Sequence, residues 1–106
     1  MTIPKIVKVG PYVYDVISDE NVANEGACFG STHNDHLKIF IDPNKPEQKQ
    51  KQTFVHELLH ACMFVAGLTY RFQDDDKSRR PTEEDVCRDL STVLYQVVMD
   101  NPEVFK

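Results

Sequence analysis

The stretch "QTFVHELLHACMFVAGL", residues 52–68, constrains the fold more than any other part of the chain. At about 100° per residue, Phe54, Leu58, Ala61 and Val65 fall on one side of a helix. Val55, Leu59, Cys62 and Ala66 form a flank beside them, and His56, His60, Met63 and Gly67 share a third side. A helix that is apolar nearly all round has to be buried. The expectation is therefore a central helix, packed between a sheet and a second helix, with two histidines pointing from consecutive turns into one enclosed space.

The rest of the chain supplies those neighbours. "KIVKVGPYVYDVI" reads as two short strands with Gly10-Pro11 at the turn, because β-branched and aromatic residues lie on both sides. "NVANEGACFGST" holds a loop and then a short strand, and "HNDH" makes a turn. In "LKIFID", Leu37, Ile39 and Ile41 alternate with Lys38, Phe40 and Asp42, the period of a strand with one buried face. The first forty residues are thus expected to form a small, mainly antiparallel sheet. Asn44 is the expected cap of the central helix, with Pro46 in its first turn, Glu47 at its third position and Gly67 as its left-handed stop. A polar connection, "TYRFQDDDKSRRP", follows and reads as a solvated, mobile loop, its charge run lacking the spacing of a calcium site. Thr82 then caps a second helix with Asp85 completing the box, and "DNP" ends it near Met99. Val86, Leu90, Leu94 and Val97 mark its expected inward face, with Val93 and Cys87 on the flanks.

Length and charge limit what such a chain can do. One domain spanning residues 1–106 is expected, with 41% hydrophobic and 27% charged residues, the balance of a globular protein. A net charge of −5 argues against nucleic acid or an anionic membrane as partner, and no apolar run is long enough to cross a bilayer. The N-terminus alternates like a strand and carries no apolar signal segment, so it reads as part of the fold. Three cysteines, Cys28, Cys62 and Cys87, without Cys-x-x-Cys spacing suit free thiols in a reducing cytoplasm, with Cys62 and Cys87 as small core residues.

The histidine spacing carries chemistry. Imidazoles at i and i+4 of a helix can both bring a ring nitrogen to about 2.0–2.1 Å of one Zn²⁺. A carboxylate at i+1, here Glu57, can take the proton of a water activated by that metal as the water attacks a carbonyl. The alternative, two neutral imidazoles and a carboxylate buried with no partner, is energetically costly. His56 and His60 are therefore read as metal ligands and Glu57 as a general base. A third ligand is expected at the start of the second helix, where Glu83 lies near the centre of the apolar stripe and Glu84 at its edge, so spacing alone mildly favours Glu83. His33 and His36 are rival donors. Tyr70, Tyr95, His33 or His36 could assist an oxyanion, and Asp85 or Asp89 could orient a ligand histidine.

"FVHELLHACMFVAGL" followed by "EEDVCRDLSTVLYQVVMDNP" resembles the short phage and prophage His-Glu-x-x-His proteins related to ImmA/IrrE-type metallopeptidases. The resemblance runs from "LKIFID" through the C-terminal two thirds and rests on motif order. It implies an α+β, minimal zincin-like fold: a small N-terminal sheet on the His-Glu-x-x-His helix, and a second helix that supplies a glutamate. By position it implies His56 and His60 as zinc ligands, Glu57 as general base, and Glu84, with Glu83 as the alternative, as third ligand. The "Leu-Leu-Met-Pro" type of ending found in larger relatives is missing. The expected activity is zinc-dependent hydrolysis of a peptide or protein substrate, in the host cytoplasm if the chain is phage-encoded. The alternative is a non-catalytic binding module of phage origin, stabilised by zinc.

Overall fold

The computed structural model describes residues 2–22, 29–72 and 81–105. Four strands come first: β1 (Ile6–Val9), β2 (Tyr12–Ser18), β3 (Gly30–His33) and β4 (Lys38–Ile41). Two helices follow, α1 (Glu47–Val65) and α2 (Glu83–Asp100), with single 3-10 turns at Thr69–Phe72 and Pro102–Phe105. The chain is α+β, as the alternation and the change of period predict.

The sheet runs in the order β1-β2-β4-β3. The β1–β2 and β3–β4 pairs are antiparallel, whereas β2 and β4 pair parallel at its centre. The mainly antiparallel expectation therefore holds for the two hairpins, and the central pairing joins them. In the first hairpin Gly10 sits at φ +57, and a Cβ there would lie 2.7 Å from Val65 Cγ1, so both the turn and the helix behind it demand glycine. Leu37 closes the second hairpin at φ 57, unusual for a leucine. Its side chain packs against the core and its carbonyl accepts from Asp15 N at 3.0 Å, contacts that hold the backbone there.

Val9, Tyr14, Ile39 and Ile41 from the sheet meet Phe54 and Ala61 of α1 to make the core, with Leu37, Leu58 and Val65 packed against it. The predicted faces of "LKIFID" and of Phe54–Val65 are the ones that meet. Tyr14 is fully buried, and its hydroxyl donates to Asn34 Oδ1 at 2.8 Å.

Three expectations need correction. Asn44 does not cap α1: the N-cap is Pro46, with no side-chain cap bond. Asn44 lies two residues too early, and its backbone N–H donates to Asp42 Oδ1 at 2.9 Å in a local turn. Second, α1 is not enclosed all round, for Cys62 and Ala66 are exposed, and only Cys87 of the two described thiols is buried. Third, α2 is turned part-way from its predicted orientation: Val86, Leu94 and Val97 are half-buried as expected, but the most buried side lies toward the flank. Cys87 and Ser91 are buried, while Leu90 is 49% and Val93 58% exposed. An open apolar groove of about 320 Å³ lies between Leu59 and Cys62 of α1, Ala66 just past its end, and Val86 and Leu90 of α2.

The ends of the helices follow the predicted chemistry more closely. Gly67, at φ +78, stops α1, with Gly67 N bonded to Phe64 O and Leu68 N to Met63 O, a Schellman motif. Thr82 and Asp85 exchange both bonds of a capping box, each at 3.1 Å. Cys28 and the charge run at residues 74–80 lie outside the described residues. No described helix is long and apolar enough to cross a membrane.

Candidate metal centre

His56 and His60 project from consecutive turns of α1, their ring centroids 5.1 Å apart. Both aim Nε2 at the same carboxylate: His56 Nε2 lies 2.9 Å from Glu84 Oε1, and His60 Nε2 lies 2.8 Å from Glu84 Oε2. One donor atom from each of these three residues falls within 4.8 Å of the others, so the group could hold a metal ion. Two imidazole nitrogens and one carboxylate oxygen make a donor set that suits zinc and leaves a coordination position open.

The neighbouring glutamates, which spacing could not separate, take different places. Glu84 reaches both histidines, whereas Glu83 Oε2 lies 2.6 Å from Nδ1, on the other edge of the His60 ring. Successive residues of a helix diverge by about 100°, so one glutamate meets the front of the ring and the other its back. Glu83 lies nearer the centre of the aliphatic stripe, whereas Glu84 shares the side of α2 that carries the buried Cys87 and Ser91.

The remaining candidates lie elsewhere. His33 stacks edge-on against Phe40 at 5.0 Å, and both His33 and His36 are exposed and outside the histidine–carboxylate group. Asp85 closes the helix cap and receives an ion pair from Arg88 at 3.0 Å, and Asp89 pairs with the same arginine at 3.3 Å. The carboxylate at the back of His60 is Glu83, a role that sequence reasoning had considered for Asp85 and Asp89.

Glu57 is buried beside the pair, its Oε2 3.9 Å from His56 Nε2. Thr32 Oγ1 lies 2.8 Å from Glu57 Oε1 and 2.9 Å from Glu57 O, so one hydroxyl holds both the side chain and the backbone of that residue. Nothing in the sequence pointed to Thr32, because the contact depends on β3 lying against α1. The one available signal was Gly30. A Cβ there would come within 2.6 Å of Thr53 Cγ2 and 2.8 Å of Phe40 O, so only glycine admits this approach.

These surroundings shift the titration of the site. Burial pushes the Glu57 carboxyl above the usual carboxylate range, against the opposing pull of Thr32 and the two histidines, and with a smaller push from Glu84. Burial works to lower the His60 value, but hydrogen bonds with Cys87 and Glu83 outweigh it and raise the imidazole to about 10. A metal ion at Nε2 would take the place of the proton this value describes. The site opens on a cleft of about 600 Å³, with His56, Glu57 and Glu84 along its wall and Phe29, Gly30 and Thr53 beside them. Tyr70 and Tyr95 do not line it.

A four-stranded sheet, a His-Glu-x-x-His helix and a carboxylate from the next helix define a metallopeptidase-like domain. Residues 17–88 match the family described as the IrrE N-terminal-like domain, Peptidase_M78, and the chain belongs to that family. The match begins in β2, earlier than motif order alone suggested, and ends just past Glu84. No curated protein and no solved structure matches the chain.

Proposed function

We propose that the chain is a zinc-dependent peptidase in which His56, His60 and Glu84 hold the metal and Glu57 is the general base. The observation that carries this reading is the convergence of the three donors beside a buried carboxylate whose affinity for protons is raised. Zinc, when bound, supplies Lewis acidity to a peptide carbonyl and brings the pKa of a bound water to about 7. Glu57 then accepts the proton of the attacking water and passes it to the leaving amine. Its raised pKa suits both halves of that transfer, since a base that holds its proton too weakly cannot deliver it. Thr32 keeps the carboxylate in one rotamer. β3 lies at the sheet edge, so an extended peptide can pair with it and bring a carbonyl past Glu57.

The test is metal analysis together with hydrolysis of a diverse peptide pool by wild type and Glu57→Gln. Wild type should bind about one zinc per chain and cleave. The variant should keep the metal and lose activity by about 10²–10⁴-fold. Equal zinc binding with no cleavage by either protein would favour a zinc-stabilised binding module, and absence of stoichiometric zinc in wild type would overturn the metal reading itself.

A further inference from the structure

We infer that Glu83 is a positioning residue for His60 and that Thr69 fixes Glu83 in turn, an inference whose effect on metal binding rests on the zinc reading above. Glu83 Oε2 lies 2.6 Å from His60 Nδ1, and Thr69 Oγ1 donates to Glu83 Oε1 at 2.6 Å. Both carboxylate oxygens are therefore occupied, one by the imidazole and one by the hydroxyl.

An ionised carboxylate only accepts hydrogen bonds. In a neutral imidazole, Nδ1 facing that acceptor carries the proton, and the lone pair is left on Nε2. Nε2 is the atom that faces Glu84, on the side where the donors converge. Glu83 thus selects the tautomer that can bind a metal and fixes the plane of the ring. His56 differs: among the described residues, no carboxylate takes its Nδ1, and its carboxylate contacts are through Nε2. The two histidines are therefore unequal among the described residues, since only His60 has a carboxylate on each ring nitrogen.

The fold explains why these three residues meet. Gly67 turns the chain at the end of α1, and the 3-10 turn that follows presents Thr69 to the first turn of α2. The Thr82–Asp85 box fixes that first turn, which sets Glu83 and Glu84 about 100° apart around the helix. Glu83 is also the more sheltered of the pair, its side chain 21% exposed against 59% for Glu84.

The experiment compares wild type with E83A, E83Q, T69V and E84A. Zinc affinity is measured by competition with a chelator, the ligand set by the visible spectrum of the cobalt-loaded protein, and the ring contact by the exchange rate of the His60 Nδ1 proton in the metal-free protein. E83A should bind one zinc about 10–100-fold more weakly, with its cobalt spectrum retained. E83Q, whose amide oxygen still accepts from Nδ1, should recover part of that affinity, and T69V should show a smaller loss. E84A should change the cobalt spectrum. The Nδ1 proton should exchange slowly in wild type and rapidly in E83A, with circular dichroism confirming that the variant is folded.

Zinc affinity of E83A within twofold of wild type would overturn the inference. So would loss of the cobalt spectrum in E83A with its retention in E84A, since Glu83 would then be a ligand. If wild type binds no zinc, the peptidase reading fails, whereas unchanged proton exchange in E83A sinks the hold of Glu83 on His60 by itself.

Discussion

The two helices are nearly equal in length, 19 residues in α1 and 18 in α2, yet they are held by opposite means. α1 has no side-chain cap at its start and relies on burial, with Phe54, Val55, Glu57 and Ala61 enclosed. α2 has a complete capping box, but its buried residues are Asp85, Cys87 and Ser91, and its larger aliphatic residues Leu90 and Val93 face outward. Its bonds to α1 are largely polar: the histidine–glutamate contacts, Gln52 Nε2 donating to Thr92 Oγ1 at 3.1 Å, and Cys87 Sγ to Met63 Sδ at 3.5 Å. The difference teaches that the histidines stand on a helix fixed by the hydrophobic core, while the glutamates arrive on a helix docked by the site together with half-buried residues such as Val86 and Leu94.

That contrast can be broken most directly by deleting apolar volume. Phe54→Ala should cost about 3–5 kcal/mol in denaturant unfolding, because Phe54 joins α1 to the sheet and is 5% exposed. Leu90→Ala, at a position the sequence pattern placed in the core, should cost roughly 1 kcal/mol or less. Comparable losses in the two variants would show that α2 is anchored by apolar packing after all.

Metal should act on the weaker attachment. At about 100 times its dissociation constant, zinc should stabilise the fold by about 2.7 kcal/mol. Hydrogen exchange should locate the gain: amides in the first turns of α2 should slow more than those around Phe54–Ala61, which the core already protects. Glu84→Gln should remove most of the zinc-dependent shift, since the carboxylate that faces both histidines is lost. A uniform gain along both helices would contradict the idea that the site docks α2.

Much of this was legible in the sequence because local chemistry decided it. Gly67 and Thr82 mark the helix ends, since a left-handed stop and a capping box each depend on a few adjacent residues. The alternation of Leu37, Ile39 and Ile41 gives the buried face of β4 in the same way. The His56–Glu57–His60 spacing places three chemically active groups on one helix before any tertiary contact is known. What escaped depended on contacts between elements. The buried face of α2 is turned to one side of its aliphatic stripe, toward Cys87 and Ser91, because two glutamates meet α1 at its start. Thr32 and Glu83 acquire their roles only through residues 25 and 23 positions away, Glu57 and His60. Asn44 fails as a cap because Pro46, one residue before Glu47, occupies the cap position.

The smallest expected effect sharpens the comparison furthest, because it separates the starts of the two helices. Thr82→Ala removes the acceptor for Asp85 N and should cost about 1 kcal/mol. Asn44→Ala, at an exposed residue whose side chain makes no cap bond, should fall within about 0.5 kcal/mol of wild type. The two should also differ in zinc affinity. Glu83 and Glu84 follow Thr82 directly, so loosening the cap frees the turn that aims them, and chelator competition should show weaker binding in Thr82→Ala. Asn44 precedes α1, whose histidines lie about three turns further on and are held by the core, so its replacement should leave zinc affinity unchanged. Equal zinc affinity in Thr82→Ala and wild type would mean that the contacts of Glu83 and Glu84 with His60, rather than the cap, fix the first turn of α2.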